Sequence, residues 1–174
     1  LHGQVKDRLG EITRIQIETQ EPAVRIIAKS GPLNNPADRD HCLQYMVAVE
    51  LIHGHLTAEH YEAEAAAHPM IDQLRERMIV VEQPAYSRDY LDPDKRSIAN
   101  AIQVWFADGT ASPRVEIEYP LGHRRRRAES LPALLDKFRH NASARLSNVD
   151  ALVNLFQNPE RLDEMPVDEF VNLT

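Results

Sequence analysis

An α+β fold in two layers is expected for this chain, and three features of its sequence predict it. Apolar residues alternate with polar ones around Ile15 and Ile17, from Ile98 to Phe106 and from Val115 to Tyr119, and Met78 to Glu82 is a short strand-like run. Helix-period stretches are inserted between these runs. After Pro120 the strand patterns cease and only helical ones follow. A sheet of about four strands with helices inserted and appended meets the requirement that each apolar face be covered by another layer.

The first ten residues, Leu1 to Gly10, read as the tail of a helix with Leu1, Val5 and Leu9 on one side and Gly10 as its end. The chain therefore looks as though it starts inside an element. Glu11 to Thr19 is the first strand. Gln20 to Lys29, with Pro22 early and Val24, Ile26 and Ile27 after it, is read as a helix, and Ser30 to Asn35 as a loop rich in turn residues.

A long helix is then expected from Pro36 to His53, stopping at Gly54. Asn35 suits its N-cap, Pro36 its first position, and Asp38 and Asp40 the positive end of its dipole. At about 100° per residue, Asp38, His41 and Tyr45 fall on one face and continue into Ala48 and Ile52, the layout of a pocket wall. A plainer reading keeps the aspartates for the dipole, His41 as a hydrogen-bonded helix residue and Tyr45 as core.

Thr57 caps a second helix rich in Ala and Glu through Ala67. A third begins after Pro69 with Ile71, Leu74 and Met78 on one face, and the two would form a helical hairpin. Gln83 to Lys95 is polar and uncommitted, the expectation for a mobile loop. Ile98, Ile102, Val104 and Phe106 alternate along the next strand, Asp108-Gly109 turns the chain, and Val115, Ile117 and Tyr119 return. Helices are expected from Ser130 to about Ala142, from Asn148 to Phe156, and briefly after Pro166. The organisation predicted is residues 1–10 as a helix end, 11–120 as the sheet-containing lobe, and 121–174 as terminal helices.

Composition narrows the function. With 174 residues the chain is long enough for one domain or two small lobes. Its 43% hydrophobic and 27% charged residues are those of an ordinary globular protein and argue against disorder. No run of about 18 apolar residues offers a membrane span. The net charge of −7 argues against a general nucleic-acid binder, and a single cysteine, Cys42, excludes an internal disulfide and suits a reducing cytoplasm. Against that acidic background His123-Arg124-Arg125-Arg126-Arg127 stands out. It reads either as a solvated loop or as a clamp in which His123 and one or two arginines hold a di- or tricarboxylate. Phosphate loops, zinc-protease spacing and nucleophile elbows do not occur. His53, His55 and His60 have poor spacing for a metal, since His53 closes one helix and His60 lies in the next.

Gly31 to Val47, Asp92 to Ile102, Glu118 to Arg127 and Glu164 to Phe170 together resemble the carboxy-terminal part of the MmgE/PrpD family, in its dehydratase branch. The resemblance implies a two-part enzyme: a large helical domain made by the amino-terminal region, and a smaller α+β lid followed by terminal helices. It implies removal of water from 2-methylcitrate to give 2-methyl-cis-aconitate in propionate breakdown, without a cofactor or iron-sulfur cluster, by a homodimer. Such chemistry needs a base for a carbon-bound proton, an acid for the leaving hydroxyl and donors or cations for three carboxylates. The His-x-x-x-Tyr pair matches a family motif, so Tyr45 and His41 are the candidate catalytic residues. Tyr45 would donate to the leaving hydroxyl or to a carboxylate. His123, Arg124, Asp38 and Gln44 are the candidate substrate contacts. The family's other catalytic groups have no counterpart here, so the chain alone is expected to be inactive and to need the amino-terminal domain. A non-catalytic carboxylate- or partner-binding module and a sibling activity such as cis-aconitate decarboxylation are the competing readings.

Overall fold

The computed structural model describes residues 1–174, which divide into two compact units, Leu1–Tyr119 and Pro120–Thr174. The first holds one mixed sheet, made of β1 (Ile12–Thr19), β2 (Met78–Glu82), β3 (Asn100–Phe106) and β4 (Val115–Ile117) in the order β2-β1-β3-β4. β1 and β2 run parallel, with Ile15 opposite Met78 and Ile17 opposite Val80. β1 and β3 are antiparallel, with Ile15 opposite Val104, and β3 and β4 close the expected hairpin. Gly109 takes a φ of 83°, a backbone conformation that favours a residue without Cβ. The chain is α+β, as its alternating and helical runs predict.

One face of this sheet carries the core. Ile15, Ile17 and Val104 from the strands meet Tyr45, Ala48 and Val49 of α4 (Leu43–His53) and Ile71 and Leu74 of α6 (Pro69–Glu76). Burying each large aliphatic side chain contributes roughly 1.5–3 kcal/mol, so these two helices are held by packing far more than by propensity. Val5 of α1 (His2–Val5) and the flanking Leu1 and Leu9 pack on the same core. The other face is polar along β1, where Arg14, Gln16 and Glu18 alternate outward, and carries a small cluster of Tyr86, Ala99 and Ala101. Period two along the strands thus separates core from solvent.

Four expectations are corrected. Leu1 to Gly10 is not one helix ending at Gly10: α1 stops at Val5, and a 3-10 segment, Lys6–Glu11, runs through Gly10. The helix predicted from Pro36 to His53 is two helices, α3 (Pro36–Asp40) and α4. His41 ends α3 with φ −105° and ψ 25°, and Cys42 is extended before α4 begins. The break lets Cys42 bury fully, with its thiol 3.6 Å from the Lys29 carbonyl, a contact no periodicity rule anticipates. Gly54, at φ 77°, stops α4 where expected, and a Cβ there would sit 2.7 Å from the His2 ring.

The Ala-rich second helix shrinks to a 3-10 turn, Ala58–Tyr61, and one turn of helix, α5 (Ala63–Ala66), so no helical hairpin forms. Alanine and glutamate favour helix, but a short segment without a buried stripe gains little from it. The segment Gln83–Lys95 is not an open loop either. Its first part is α7 (Pro84–Leu91), with Pro84 at the first position, the Gln83 side chain accepting from the Ala85 amide, and Tyr86 buried. The remaining helix of this unit, α2 (Glu21–Ile27), is where it was read.

The second unit is helical throughout: a 3-10 turn at Arg124–Arg126, then α8 (Arg127–Ala142), α9 (Val149–Gln157), α10 (Pro159–Glu164) and α11 (Val167–Asn172). Leu135, Val149 and Val153 form its small core. No helix in either unit is long and apolar enough to cross a membrane.

Candidate functional site

Tyr45 sits on the first turn of α4 and is 2% exposed. Its hydroxyl donates to the His60 carbonyl at 2.5 Å, and its ring lies over Tyr61 with centroids 6.1 Å apart. Both partners belong to the 3-10 turn at Ala58–Tyr61, and that turn is capped in an unusual way. The Thr57 amide donates to Nδ1 of His60 at 3.0 Å, so an imidazole fills the place that Glu or Gln occupies in a capping box. Accepting at Nδ1 leaves the ring proton on Nε2 in the neutral form. The Met70 amide donates to Nδ1 of His68 in the same manner. The His53 ring lies tilted against that of His60 with centroids 4.8 Å apart, and burial together with the neighbouring histidines pushes its pKa down. The histidines after Gly54 therefore hold turns together.

Burial raises the Tyr45 phenol pKa, while Arg39 and then Arg75 pull it the other way. Tyr45 is consequently a neutral phenol near neutral pH, with its proton already committed to a carbonyl. Toward a second group it offers lone pairs unless the hydroxyl rotates off His60. Its surroundings open on one side into a pocket of about 190 Å³ lined by Leu33, Arg39, Ala63, Ala66, Asp72 and Arg75. A second depression, of about 440 Å³, shares Arg75 and Asp72 with it and reaches Lys29, Gly31 and Gln44.

The remaining sequence candidates are scattered. Asp38 is a capping residue: its carboxylate accepts from the Asn34 amide and the Asn35 side chain, both at 3.1 Å, while the Asn35 side chain accepts from the Asp38 amide. The His41 side chain is 64% exposed, and its Nδ1 donates to Asp40 at 2.5 Å. Because the helix breaks between them, the periodic alignment of His41 with Tyr45 is lost, and neither His41 nor Asp38 lines the pocket beside Tyr45. Gln44 accepts from the Lys29 amide at 3.1 Å and lines the larger depression. In the second unit His123 is the N-cap of the arginine turn, its Nδ1 accepting from the Arg125 amide at 3.2 Å, and Arg124 is exposed.

Sequence reasoning passed over Arg39 and Arg75. Arg39 is the one buried residue of α3 and is 7% exposed. Arg75 is 10% exposed at its side chain, with its guanidinium on Asp72 at 2.5 Å and on the Gly31 carbonyl at 2.8 Å. A signal existed for Arg75, which lies four residues after the buried Ile71 and so within the apolar stripe of its helix. Arg39 gave none, because its flanking aspartates make the segment look like a solvated helix start.

A model of the MmgE/PrpD C-terminal domain matches residues 1–158. The chain is 53% identical over 165 residues to the 2-methylcitrate dehydratase of Cupriavidus necator, covering 94% of this chain and 34% of that protein. With the Salmonella typhimurium enzyme of the same name it shares 48% over 165 residues, again 94% and 34%. With the mitochondrial one of Yarrowia lipolytica it shares 48% over 177 residues, 99% of this chain and 34% of the relative. The chain thus spans about a third of the length of the curated relatives it matches.

Proposed function

This chain belongs to the MmgE/PrpD family, and from that premise we propose that it is the carboxy-terminal portion of a hydro-lyase that converts 2-methylcitrate to 2-methyl-cis-aconitate and water. The identity to proteins named 2-methylcitrate dehydratase supports the substrate. The observation that carries the site is the buried phenol of Tyr45, which lines a pocket while its hydroxyl rests on the His60 carbonyl.

In this reading Tyr45 is the first proton-handling group. Burial keeps the proton on the phenol near neutral pH, and Arg39 and Arg75, which favour the phenolate, would ease its passage to a leaving hydroxyl once substrate replaces the His60 carbonyl as acceptor. Because the chain spans about a third of the relatives' length, the base for the carbon-bound proton is assigned in this reading to the remainder of such a protein. His41, exposed and oriented by Asp40, is the second proposed proton-handling group. Gln44, which lines the larger depression, is the proposed supporting contact for a tricarboxylate. Family resemblance supports a homodimer without a cofactor, and a buried free thiol at Cys42 fits the reducing cytoplasm.

The test is Tyr45→Phe in the full-length protein, with turnover followed by the absorbance of the conjugated double bond formed. A fall in kcat of about 10² or more is expected from loss of a general acid. Unchanged turnover of 2-methylcitrate would remove Tyr45 from the chemistry.

A further inference from the structure

Arg39 is a buried cation without a counter-ion. Its residue is 7% exposed, and its single hydrogen bond runs from one terminal nitrogen to the Tyr61 carbonyl at 2.6 Å. Both acids beside it in sequence are committed elsewhere, Asp38 to the cap of α3 and Asp40 to His41. A guanidinium does not shed its charge at any accessible pH, so it cannot escape the cost of burial by losing a proton. Charges taken out of water are paired as a rule, because leaving one alone costs several kcal/mol.

The place where a partner belongs is visible. Arg39 lines the pocket of about 190 Å³. Arg75 lines the same pocket and is held rigidly by Asp72 and the Gly31 carbonyl, while its Nε is buried with no partner. Asp72 is the only carboxylate lining it, against two guanidiniums. The balance is one uncompensated positive charge in a space walled otherwise by Leu33, Tyr45 and alanines.

We propose that Arg39, backed by Arg75, forms a subsite that binds one carboxylate arm of the substrate beside Tyr45. The inference rests on the reading of the chain as part of a tricarboxylate dehydratase and adds the place where one arm is held. A planar carboxylate matches the fork of a guanidinium and carries the single negative charge that the pocket lacks. Phosphate, with close to two charges, would overshoot that balance. The alanines at positions 63, 66 and 67 matter because larger side chains would fill the space.

Binding of tricarballylate, a tricarboxylate with no hydroxyl to lose, separates this inference from the assignment of the reaction. Measured by calorimetry on the full-length protein, Arg39→Gln should raise Kd by about 10², since removing one partner of a buried charge pair is the costly case. Arg39→Lys should recover part of it. Ala63→Leu leaves both arginines in place and occupies the pocket, at a position whose residue is exposed. It should weaken binding at least tenfold without lowering the thermal midpoint, and it decides the matter if Arg39→Gln does not fold. Tricarballylate bound equally well by wild type and Ala63→Leu would overturn the subsite while leaving the proposed reaction standing. Failure of wild type to bind any tricarboxylate would sink both. Inorganic phosphate displacing tricarballylate at equal concentration would overturn the carboxylate assignment.

Discussion

Arg39 and Arg75 in the first unit and Arg124 to Arg127 in the second carry the same functional group in opposite surroundings. The first two are buried around a small pocket, one tied to backbone and the other to Asp72 and backbone. The others form a basic turn at the surface, where Arg126 meets Glu129 at 2.9 Å with that glutamate 61% exposed. Four consecutive arginines catch the eye in an acidic chain, yet water screens them, and surface pairs of this kind are worth about 0–1 kcal/mol. A single desolvated guanidinium exerts the stronger field. Burial, more than charge density, is what makes an arginine a candidate for recognition.

Several measurements would break or sharpen that contrast, and the largest effect is expected at Arg75. Arg75→Ala removes two hydrogen bonds from a side chain 10% exposed and should cost about 2 kcal/mol in urea unfolding. A loss as small as that of a surface arginine would mean that burial does not set these energies.

The next effect concerns the turn that holds Tyr45 and Arg39. His60→Leu takes away the acceptor for the Thr57 amide and should cost about 1 kcal/mol, as lost caps do. His60→Gln restores an acceptor at that capping-box position and should recover most of it. Equal losses in the two variants would show that the ring packs rather than caps.

Smaller again is a difference in how two carboxylates respond to salt. Arg114 holds the Glu18 carboxyl below its ordinary value at an 18% exposed side chain, and Arg126 does the same for the exposed Glu129. A folded-state pKa below the unfolded one means that the unfolded chain takes up the proton first. Each pair therefore contributes stability above the usual carboxylate range and loses it as pH falls through the folded value. Carboxyl titration by NMR should show the Glu129 depression vanish in about 1 M salt, where the screening length is about 3 Å, while that of Glu18 persists. The smallest effect belongs to Arg126→Ala, whose thermal midpoint should be indistinguishable from that of wild type.

The strands were legible because period two is enforced wherever one face of a sheet is buried, and Ile15, Ile17, Val104 and Phe106 show it without ambiguity. The stop of α4 at Gly54 and the cap at Thr57 were legible for a similar reason, since each depends on a local steric or hydrogen-bonding rule. The break at His41 and Cys42 was not. An acid-rich helix start followed by apolar residues looks continuous in one dimension, and only contact of Cys42 with Lys29 shows why the chain turns. The alignment of Asp38, His41 and Tyr45 on one face depended on that continuity and does not survive it. α7 was missed because a polar segment anchored by one buried residue, Tyr86, has almost no periodic signal. Of the candidate site, Tyr45 was readable from the motif it stands in. Arg39 and Arg75 were not, because exposure is the default for arginine and its reversal depends on distant partners.

From the sequence alone come the α+β class, the strands and their faces, the helical carboxy-terminal stretch and the resemblance centred on Gly31 to Val47, all of which depend on near neighbours or on recognisable residue strings. Tertiary structure alone decided which polar groups leave water. Desolvation is a property of what the whole fold places around a side chain, so it brought Arg39, Arg75 and Tyr45 to one pocket and left the conspicuous arginine run in solvent.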